Sequence, residues 1–462
     1  MASANLLAQF VSIGVNIILA TILVPEDFGL VALATTYIGF VKIFTVIGFG
    51  SAIIYERKST QRQLSTLYWL NIGLCTLTFS LVIATIPLAA EFYEEPRLVN
   101  VAMVAATSIV LYPLFTIHYK IEERDLRFKL LSKVNVIALL IGAVVGISSA
   151  YAGAGVYAIV LQSVIANVTR LILILYHSNW KPSLQFDFGS VSHMVWYAAK
   201  FKLANTMLFL ERNIDYLIMG KVFTPTILGY YSFAYNIMYA PVKRISTIFS
   251  EVLFPSFSAI KDSNEKIISG YFKSKQLIAM VAFPGMSILS FNAEWLITSV
   301  FGDKWIEAIP IVEILCFAGA LQAISQIGSV VFASIGKPEV STYITGARTV
   351  LTILAIYLGC QVGILLVAYY LVIAKVLSYL ILLVVLFYFI PFTLRFYLKH
   401  LWSPIAAVIL LILIQVASVQ GFFVLSPIGK LTLMSVLSGV LIVMTNLKIL
   451  GNLYSVLTNR VT

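Results

Sequence analysis

Apolar residues fill most of the chain in runs of about 18 to 25, and short polar segments separate one run from the next. An α-helix rises 1.5 Å per residue, so each run is long enough to cross about 30 Å of hydrocarbon. Strands of a membrane barrel would be shorter and would alternate in polarity. The pattern predicts fourteen transmembrane helices, at approximately 3-24, 30-54, 66-90, 98-118, 130-151, 155-176, 197-221, 229-258, 267-292, 310-336, 342-360, 363-390, 402-420 and 430-449.

The composition strengthens this interpretation. Of the 462 residues, 60% are hydrophobic and 11% charged, and the mean hydropathy is +0.97. Soluble domains contain roughly 45 to 50% apolar and about 25% charged residues. The predicted fold class is therefore an all-α polytopic membrane protein. The first run lacks a basic n-region and is too long for a signal-peptide core, so we expect it to be retained as the first span.

The distribution of Lys and Arg between alternate loops predicts the orientation. If the N-terminus is inside, the inner loops and the C-terminal tail hold fifteen of these residues, and the opposite loops hold only Arg97, Lys221, Lys304 and Lys430. Cytoplasmic loops carry the excess of Lys and Arg, so both termini are predicted to be cytoplasmic. Part of the net charge of +11 is this bias, and no nucleic-acid partner is predicted.

A weak internal repeat divides the chain at a separation of about 200 residues. The first interspan turn, "VPEDFGLVALA", has Pro25 four residues before Gly29, and the seventh, "TPTILGYYSFA", has Pro225 four before Gly229. Each half holds six spans, an even number, which indicates a parallel repeat. We predict an N-terminal six-helix lobe at 1-176, a cytoplasmic connector at 177-195 that acts as a hinge, a C-terminal lobe at 196-390, and two additional helices with a tail at 391-462.

The sequence gives no indication of a metal site, a disulfide framework or a catalytic site. Cys75, Cys316 and Cys360 all lie in apolar spans. The four histidines, His118, His177, His193 and His400, occur singly near span ends, where we expect them to be interfacial residues. Neither arrangement has the spacing of a metal site or of a disulfide framework. We therefore predict no cofactor, no metal and no enzyme activity.

Two adjacent cations, Lys243 and Arg244, lie in the middle of the eighth predicted span. Snorkelling from this depth is difficult, and an ionised side chain at the bilayer centre costs about 2.5 to 3.5 kcal/mol even on insertion scales. They should therefore face a polar cavity or a charged partner. Pro241, two residues earlier, is expected to kink the helix.

Other charged residues are predicted at a similar depth. The preceding span contains Glu211, Arg212 and Asp215, with Lys200 on roughly the same helical stripe, and Lys42 and Lys375 lie within the second and twelfth spans. One interpretation is a structural ion network. The other is an anion-binding cavity, because the cations Lys42, Arg212, Lys243, Arg244 and Lys375 outnumber the carboxylates. Cations nearer the span ends, Arg170, Lys273, Lys275 and Arg348, are expected to snorkel to the headgroups.

Aromatic and amide side chains precede Lys243 on the same helix. Tyr231, Tyr235 and Tyr239 follow each other at four-residue spacing, and Asn236 lies beside them. In a transport cavity their rings would stack on sugar faces while the hydroxyl groups form hydrogen bonds. The alternative is that they are ordinary interfacial tyrosines.

Several segments resemble the polysaccharide transporter family, also called Wzx-like oligosaccharide flippases. They are "ILVPEDFGLVALA" after the first span, "YWLNIGL", "IEERDLRFKLLSKVNV" and "FGDKWIEAIPIVEILCFAGAL", within a pattern of six, six and two spans. The family is grouped with lipid II flippases and multidrug extruders. The likeness covers nearly the whole chain, although no strict functional motif can be transferred to single residues.

The resemblance implies a multi-pass protein of the bacterial inner membrane that moves an undecaprenyl-diphosphate-linked oligosaccharide to the outer leaflet. Its partners would be this substrate, membrane lipids, and the polymerase and glycosyltransferases of the same pathway. The implied mechanism is alternating access through a cationic central cavity between two lobes. The alternatives are an ion-coupled multidrug extruder of the same fold, a membrane-embedded polysaccharide polymerase or ligase, and a major-facilitator transporter. The extruder would place carboxylates in its cavity, the polymerase would need a large outer loop, and "YERKSTQRQ" lacks the major-facilitator signature.

Overall fold

The computed structural model describes residues 2–45, 49–56, 58–260, 263–389, 393–420 and 426–440, and every regular element in these ranges is a helix. Eight of the described helices are long and apolar enough to cross a membrane. The predicted all-α polytopic membrane fold is therefore confirmed, and the number of fourteen spans stays a prediction.

Residues Met1–Ser232 form the first of two compact units. In this unit α6 packs against α1 and α7, α5 packs against α4 and α7, and α2 packs against α5 and α8. Gly142 and Gly146 allow α7 to approach α6 closely, as small residues do between membrane helices. The helices are α1 (Ala2–Ile22), α2 (Pro25–Thr45), α3 (Gly50–Tyr55), α4 (Gln61–Phe92), α5 (Arg97–Arg124), α6 (Phe128–Tyr151), α7 (Val156–His177), α8 (Phe188–Val222) and the first turns of α9 (Pro225–Ala259).

Residues Phe233–Thr462 form the second unit. Its most buried helix is α12, which packs against α10, α13 and α14, while α15 packs against α10. Leu411 and Met434 join α15 and α16 in one apolar cluster with Ile288 of α10. After α9, the elements are α10 (Asn264–Phe291), α11 (Ala293–Phe301), a 3-10 helix (Asp303–Ala308), α12 (Ile309–Ser334), α13 (Pro338–Cys360), α14 (Ile364–Phe389), α15 (Leu394–Val419) and α16 (Pro427–Val440).

Each predicted span coincides with a helix over the part that the structure describes. The second span, 30-54, corresponds to α2 and α3, and residues 46–48 between them lie outside the described residues. Residues 441–449 of the last span also lie outside them. The α4 helix begins five residues before its predicted span because Thr60 and Gln63 form a capping box. The Gln63 N–H donates to Thr60 Oγ1 at 3.3 Å, and the Thr60 N–H donates to Gln63 Oε1 at 2.9 Å.

The connector after α7 is shorter than predicted and is attached to α4. It covers residues 178–187, because α8 begins at Phe188 with Asp187 as its N-cap. The Trp69 indole N–H donates to the Ser183 carbonyl at 2.9 Å, and the Ser183 N–H donates to Ser65 Oγ at the same distance. Arg62 forms an ion pair with Asp187 at 3.2 Å. The proposed hinge role stays a prediction, but these contacts exclude a free tether.

The two Pro-x-x-x-Gly motifs that indicated the repeat begin α2 and α9 and contact each other within the first unit. A Cβ on Gly29 would overlap the carbonyl oxygen of Pro225, and a Cβ on Gly229 would overlap the carbonyl oxygen of Pro25. The contact is reciprocal, as expected when two equivalent segments meet. Only glycine permits this approach of two backbones.

Candidate functional site

The α9 helix has one buried face and one accessible polar face around Lys243. Ala234, Met238 and Val242 are almost completely buried at four-residue spacing, and Met238 packs against Gly319 of α12. The accessible positions Asn236, Ala240, Lys243 and Thr247 follow at steps of four, three and four residues, which places them on one face of the helix. A face that meets lipid would be apolar, so this face is suited to water or to a polar ligand.

Lys243 lies far from both ends of α9. It is 18 residues after Pro225 and 16 before Ala259, about 27 and 24 Å along the helix axis. Lys243 is exposed and Arg244 is half-buried, and in the described part of the chain neither side chain forms an ion pair with a carboxylate. Pro241 lies inside α9, two residues before Lys243.

Tyr235 and Tyr239 stack on each other beside Lys243. Their ring centroids are 5.8 Å apart with an interplanar angle of 22°, and both residues are half-buried. Together with Lys243 they form a row at four-residue spacing, next to the exposed Asn236. This row combines aromatic faces, hydroxyl groups, an amide and a cation, which is the chemistry that the sequence predicted for a site that binds glycans.

Tyr231 has a different role from the other tyrosines of the predicted stripe. It is completely buried, and its hydroxyl group donates to Asp215 Oδ2 at 2.7 Å. The other carboxylate oxygen accepts from the Tyr216 N–H at 3.0 Å, and the rings of Tyr216 and Tyr231 are in edge contact. Asp215 is 5% exposed. The structure thus places Asp215, predicted to line a cavity, in the packed contact between α8 and α9.

The remaining predicted residues are divided between the two units. In the first unit, Lys42 on α2 is half-buried, and on α8 Glu211 is half-buried and Arg212 is exposed. The side chain of Lys200 lies outside the described residues. In the second unit, Lys375 on α14 is half-buried. A single cationic cavity formed by all these residues therefore stays a prediction.

The predicted charged residues are carried by three helices: α2 contains Lys42, α8 contains the Glu211 to Asp215 group, and α9 contains Lys243 and Arg244.

Lys275 was expected to snorkel, and this prediction is wrong. The residue is 1% exposed, and its ammonium group lies 4.7 Å from the ring centroid of Tyr379 and 5.8 and 5.7 Å from those of Tyr271 and Phe272. Cation–π attraction therefore holds Lys275 inside the second unit. Only Tyr271 and Phe272 are near in sequence, so the local pattern gave no signal for a partner on α14.

Two further residues are more buried than predicted. Arg348 is 8% exposed on α13, so it does not snorkel. His118, expected at an interface, is 3% exposed, and its Nδ1 lies 3.0 Å from Ser178 Oγ at the start of the connector. The ring of Trp180 packs against His118 as well. Both residues are thus part of the protein interior.

Among the described residues, no group of three or more His, Cys, Asp or Glu side chains is arranged to hold a metal ion. Cys75 and Cys316 are buried free thiols, and Cys360 is partly exposed. The chemistry of the described site is therefore that of ammonium, guanidinium, amide and aromatic groups.

The chain is similar to known polysaccharide biosynthesis proteins. The family described as "Polysaccharide biosynthesis protein" matches residues 18–310. The chain is 30% identical over 343 residues to the teichuronic acid biosynthesis protein TuaB of Bacillus subtilis (strain 168), covering 73% of this chain and 71% of TuaB. It is 25% identical over 369 residues to the lipopolysaccharide biosynthesis protein WzxC of Escherichia coli (strain K12), covering 78% and 75%.

The fold is that of a solved lipid II flippase. The structure of MurJ in an inward closed conformation aligns with a TM-score of 0.78, covering 97% of this chain and 99% of MurJ. The sequences are only 14% identical, so this likeness establishes the architecture and leaves the substrate to be argued from the site.

Proposed function

Because the chain belongs to the polysaccharide biosynthesis protein family, we propose that it is a flippase that moves a lipid-linked oligosaccharide across the bacterial inner membrane. Two relatives named for the biosynthesis of surface polysaccharides, TuaB and WzxC, support this proposal. The lipid carrier would be undecaprenyl diphosphate. Such a substrate combines an anionic diphosphate, a polar glycan and a polyprenyl tail that stays in the bilayer.

The observation that carries the proposal is the polar face of α9. Lys243 and Arg244 lie deep in a long helix, without a carboxylate partner among the described residues. Uncompensated positive charge at this depth is costly and becomes favourable when an anion binds. A diphosphate supplies that anion, and charge-assisted hydrogen bonds from guanidinium to phosphate are stronger than those between neutral groups.

The stacked pair Tyr235 and Tyr239 would contact the first sugars beyond the diphosphate. Aromatic rings offer flat apolar surfaces to sugar rings, and the tyrosine hydroxyl groups and Asn236 offer hydrogen bonds to sugar hydroxyls. This contact tolerates different glycans because it recognises sugar faces in general. The proposed site therefore fixes the diphosphate strongly and the glycan loosely.

Translocation would proceed by alternating access, in which the site is open to one side of the membrane and then to the other. No bond is made or broken, so the protein would act as a carrier. With both termini in the cytoplasm, it would receive its substrate from glycosyltransferases and deliver it to a polymerase outside. These orientation and partner assignments are part of the proposal.

Proteoliposomes loaded with a fluorescent undecaprenyl-diphosphate oligosaccharide test the proposal. We expect K243Q and R244Q each to lower the initial rate of translocation at least tenfold, and Y239A to lower it less. The matched control is K273Q, which removes one exposed cation from α10 and should transport at the wild-type rate.

Normal transport by both K243Q and R244Q would remove the α9 face from the mechanism. Failure of the wild-type protein to move the labelled lipid, combined with efflux of cationic dyes from the same vesicles, would favour the multidrug extruder instead.

A further inference from the structure

A polar cluster around Arg170 lies where α5, α6 and α7 meet, near the end at which α6 begins and α7 finishes. Arg170 Nε donates to Asn135 Oδ1 at 3.1 Å, and Nη1 donates to Asn167 Oδ1 at 2.6 Å. Asn135 Nδ2 in turn donates to the Tyr119 hydroxyl group at 2.9 Å. The guanidinium lies 5.8 Å from the ring centroid of Phe115. One cation is thus oriented by two amides and an aromatic ring.

No carboxylate neutralises this guanidinium among the described residues. The surrounding helix ends hold three carboxylates, and each already has a cation: Glu122 with Arg127 at 3.2 Å, Glu123 with Lys120 at 2.5 Å, and Asp125 with Arg124 at 3.2 Å. Six cations therefore face three carboxylates, and the surplus of three consists of Lys129, Lys133 and Arg170. Lys129 and Lys133 are exposed, whereas Arg170 is half-buried.

Arg170 does not snorkel towards the nearer end of its helix. It lies seven residues before His177, the last residue of α7, which is about 10 Å along the axis. Its partner Asn167 lies three residues further from that end, so this hydrogen bond holds the guanidinium away from the end of the helix. Asn135 is likewise seven residues inside α6. The charge is therefore held within the span by neutral groups, and a counter-ion must come to it.

From this geometry we infer that the Arg170 cluster binds the phosphodiester headgroup of an anionic phospholipid. Two of the five N–H donors of the guanidinium are used by the amides, which leaves three for phosphate oxygens. The single charge of the Arg170 guanidinium matches the single charge of a phosphodiester, and planar guanidinium suits bidentate contact with phosphate. The bound lipid would complete the packing of α5, α6 and α7. This site is separate from the α9 face, and the inference does not rest on the proposed transport function.

The test measures thermal unfolding of the purified full-length protein in detergent, with added phosphatidylglycerol or phosphatidylcholine. We expect phosphatidylglycerol to raise the unfolding midpoint of the wild type by several degrees more than phosphatidylcholine does. R170Q should lose at least half of this difference. N167D should lose it too, because it places a carboxylate on the guanidinium while it preserves the hydrogen bond.

The matched control is K181Q, which makes the same change in net charge at an exposed position of the connector and should respond like the wild type. N167D also decides the question if R170Q does not fold, since a purely structural role for Arg170 predicts an unchanged lipid response in N167D. An unchanged response in N167D, or an equal shift of the wild type with inorganic phosphate, would overturn the inference. A shift with undecaprenyl diphosphate but none with phosphatidylglycerol would overturn it as well and would assign the cluster to the transported lipid.

Discussion

At the scale of single residues, Asp215 and Lys243 show how charged side chains inside long helices of a membrane protein can serve two different purposes. Asp215 is buried and accepts hydrogen bonds from the Tyr231 hydroxyl group and the Tyr216 N–H. Lys243 is exposed and forms no ion pair in the described part of the chain. A charge with fixed partners stabilises a packing contact, whereas a charge that lacks them gains most when a ligand arrives.

We predict that Y231F destabilises the protein, because it removes a hydrogen bond to a buried carboxylate. The expected loss is about 1.5 to 3 kcal/mol in the free energy of unfolding, the range for hydrogen bonds to charged groups. Thermal unfolding in detergent measures it. In D215N the loss caused by Y231F should shrink, since the carboxylate has gone. Y343F, at an exposed tyrosine of α13, is the control and should unfold like the wild type.

The sequence was sufficient to predict which charged residues lie within the helices, but it was not sufficient to predict which side chains contact them. Asp215 and Tyr231 are 16 residues apart on successive helices. Their contact could have been predicted by comparing the facing sides of these two helices. The Lys275 contact with Tyr379 joins α10 to α14, and no local periodicity relates these two positions. The depth of a charge can be read from its distance to the ends of an apolar run. Which side chain neutralises the charge depends on how helices that are distant in sequence pack together.

In the first unit the starts of α2 and α9 meet backbone to backbone. Gly29 and Gly229 each face the proline carbonyl oxygen of the other motif, with no room for a Cβ between them. Helix starts that meet backbone to backbone cannot adjust by changing a side-chain rotamer. The glycines therefore set the distance between the two helices.

G29A and G229A are predicted to reduce the amount of folded protein severely. A methyl group there must displace backbone, and overpacking of this kind costs about 1 to 3 kcal/mol or more. The measurement is the yield of monodisperse protein together with its unfolding temperature. G73A is the control, because no atom lies within 4 Å of a Cβ placed on this helical glycine. G73A should be neutral or slightly stabilising. Normal folding of G29A would show that the two helix starts can separate without cost.

Ion pairs connect the turn between α4 and α5 to α2 and to the end of α8 in the first unit. Lys221 at the end of α8 contacts Glu94 at 2.7 Å, and Arg97 contacts both Glu95 at 2.7 Å and Glu26 of α2 at 2.6 Å. The hydrogen bond from Lys221 lowers the pKa of Glu94, and the hydrogen bond from Arg97 lowers the pKa of Glu95. Both carboxylates are therefore stabilised in their charged form.

This turn predicts a loss of stability in acid. A carboxylate with a lowered pKa stabilises the folded state above the unfolded pKa of about 4.3, and the contribution disappears as the pH falls through the folded pKa. The unfolding temperature should therefore fall more steeply below about pH 4.5 in the wild type than in E95Q. E307Q, which removes an exposed carboxylate without an ion pair in the described structure, should keep the wild-type slope. Equal slopes in all three proteins would contradict a role for the turn.

The helices themselves could be predicted because a membrane span is a simple pattern of length and apolarity. Their ends could not, since caps and amphipathic extensions decide them. The polar start of α8 from Phe188 onwards was assigned to the connector, although Asp187 and Ser190 form an N-cap there. The connector was expected to be a flexible hinge, and its hydrogen bonds to Ser65, Thr66 and Trp69 of α4 depend on side chains more than 100 residues away. Tertiary contacts of this kind leave no local signature.

For the molecule as a whole, the electrical potential of the membrane is a sufficient driving force for the proposed export. A diphosphate carries about two negative charges, and moving two charges through the full field releases about 4.6 kcal/mol per 100 mV. This energy favours the outer leaflet by more than about a thousandfold. The family and the helical membrane fold could be predicted from the sequence. Whether transport is coupled to an ion could not, because a coupling ion is bound by a few oxygen atoms whose positions are set by the fold. Transport measurements must therefore separate potential from ion gradients.

We predict that translocation in proteoliposomes depends on the membrane potential alone. A potassium gradient with valinomycin sets an inside-negative potential at equal pH and equal sodium on both sides, and the outward movement of the labelled lipid is then followed. Raising the external potassium concentration abolishes the potential and should lower the outward flux at least tenfold, because the charged headgroup no longer gains energy on crossing. Reversal of the potential should favour inward movement. In K243Q the absolute change in flux should be smaller, since fewer diphosphates cross, while the relative dependence on the potential should be unchanged. Unchanged flux after collapse of the potential would show that the charge of the substrate does not drive the transport. Flux that requires a sodium or proton gradient would show that an ion drives it.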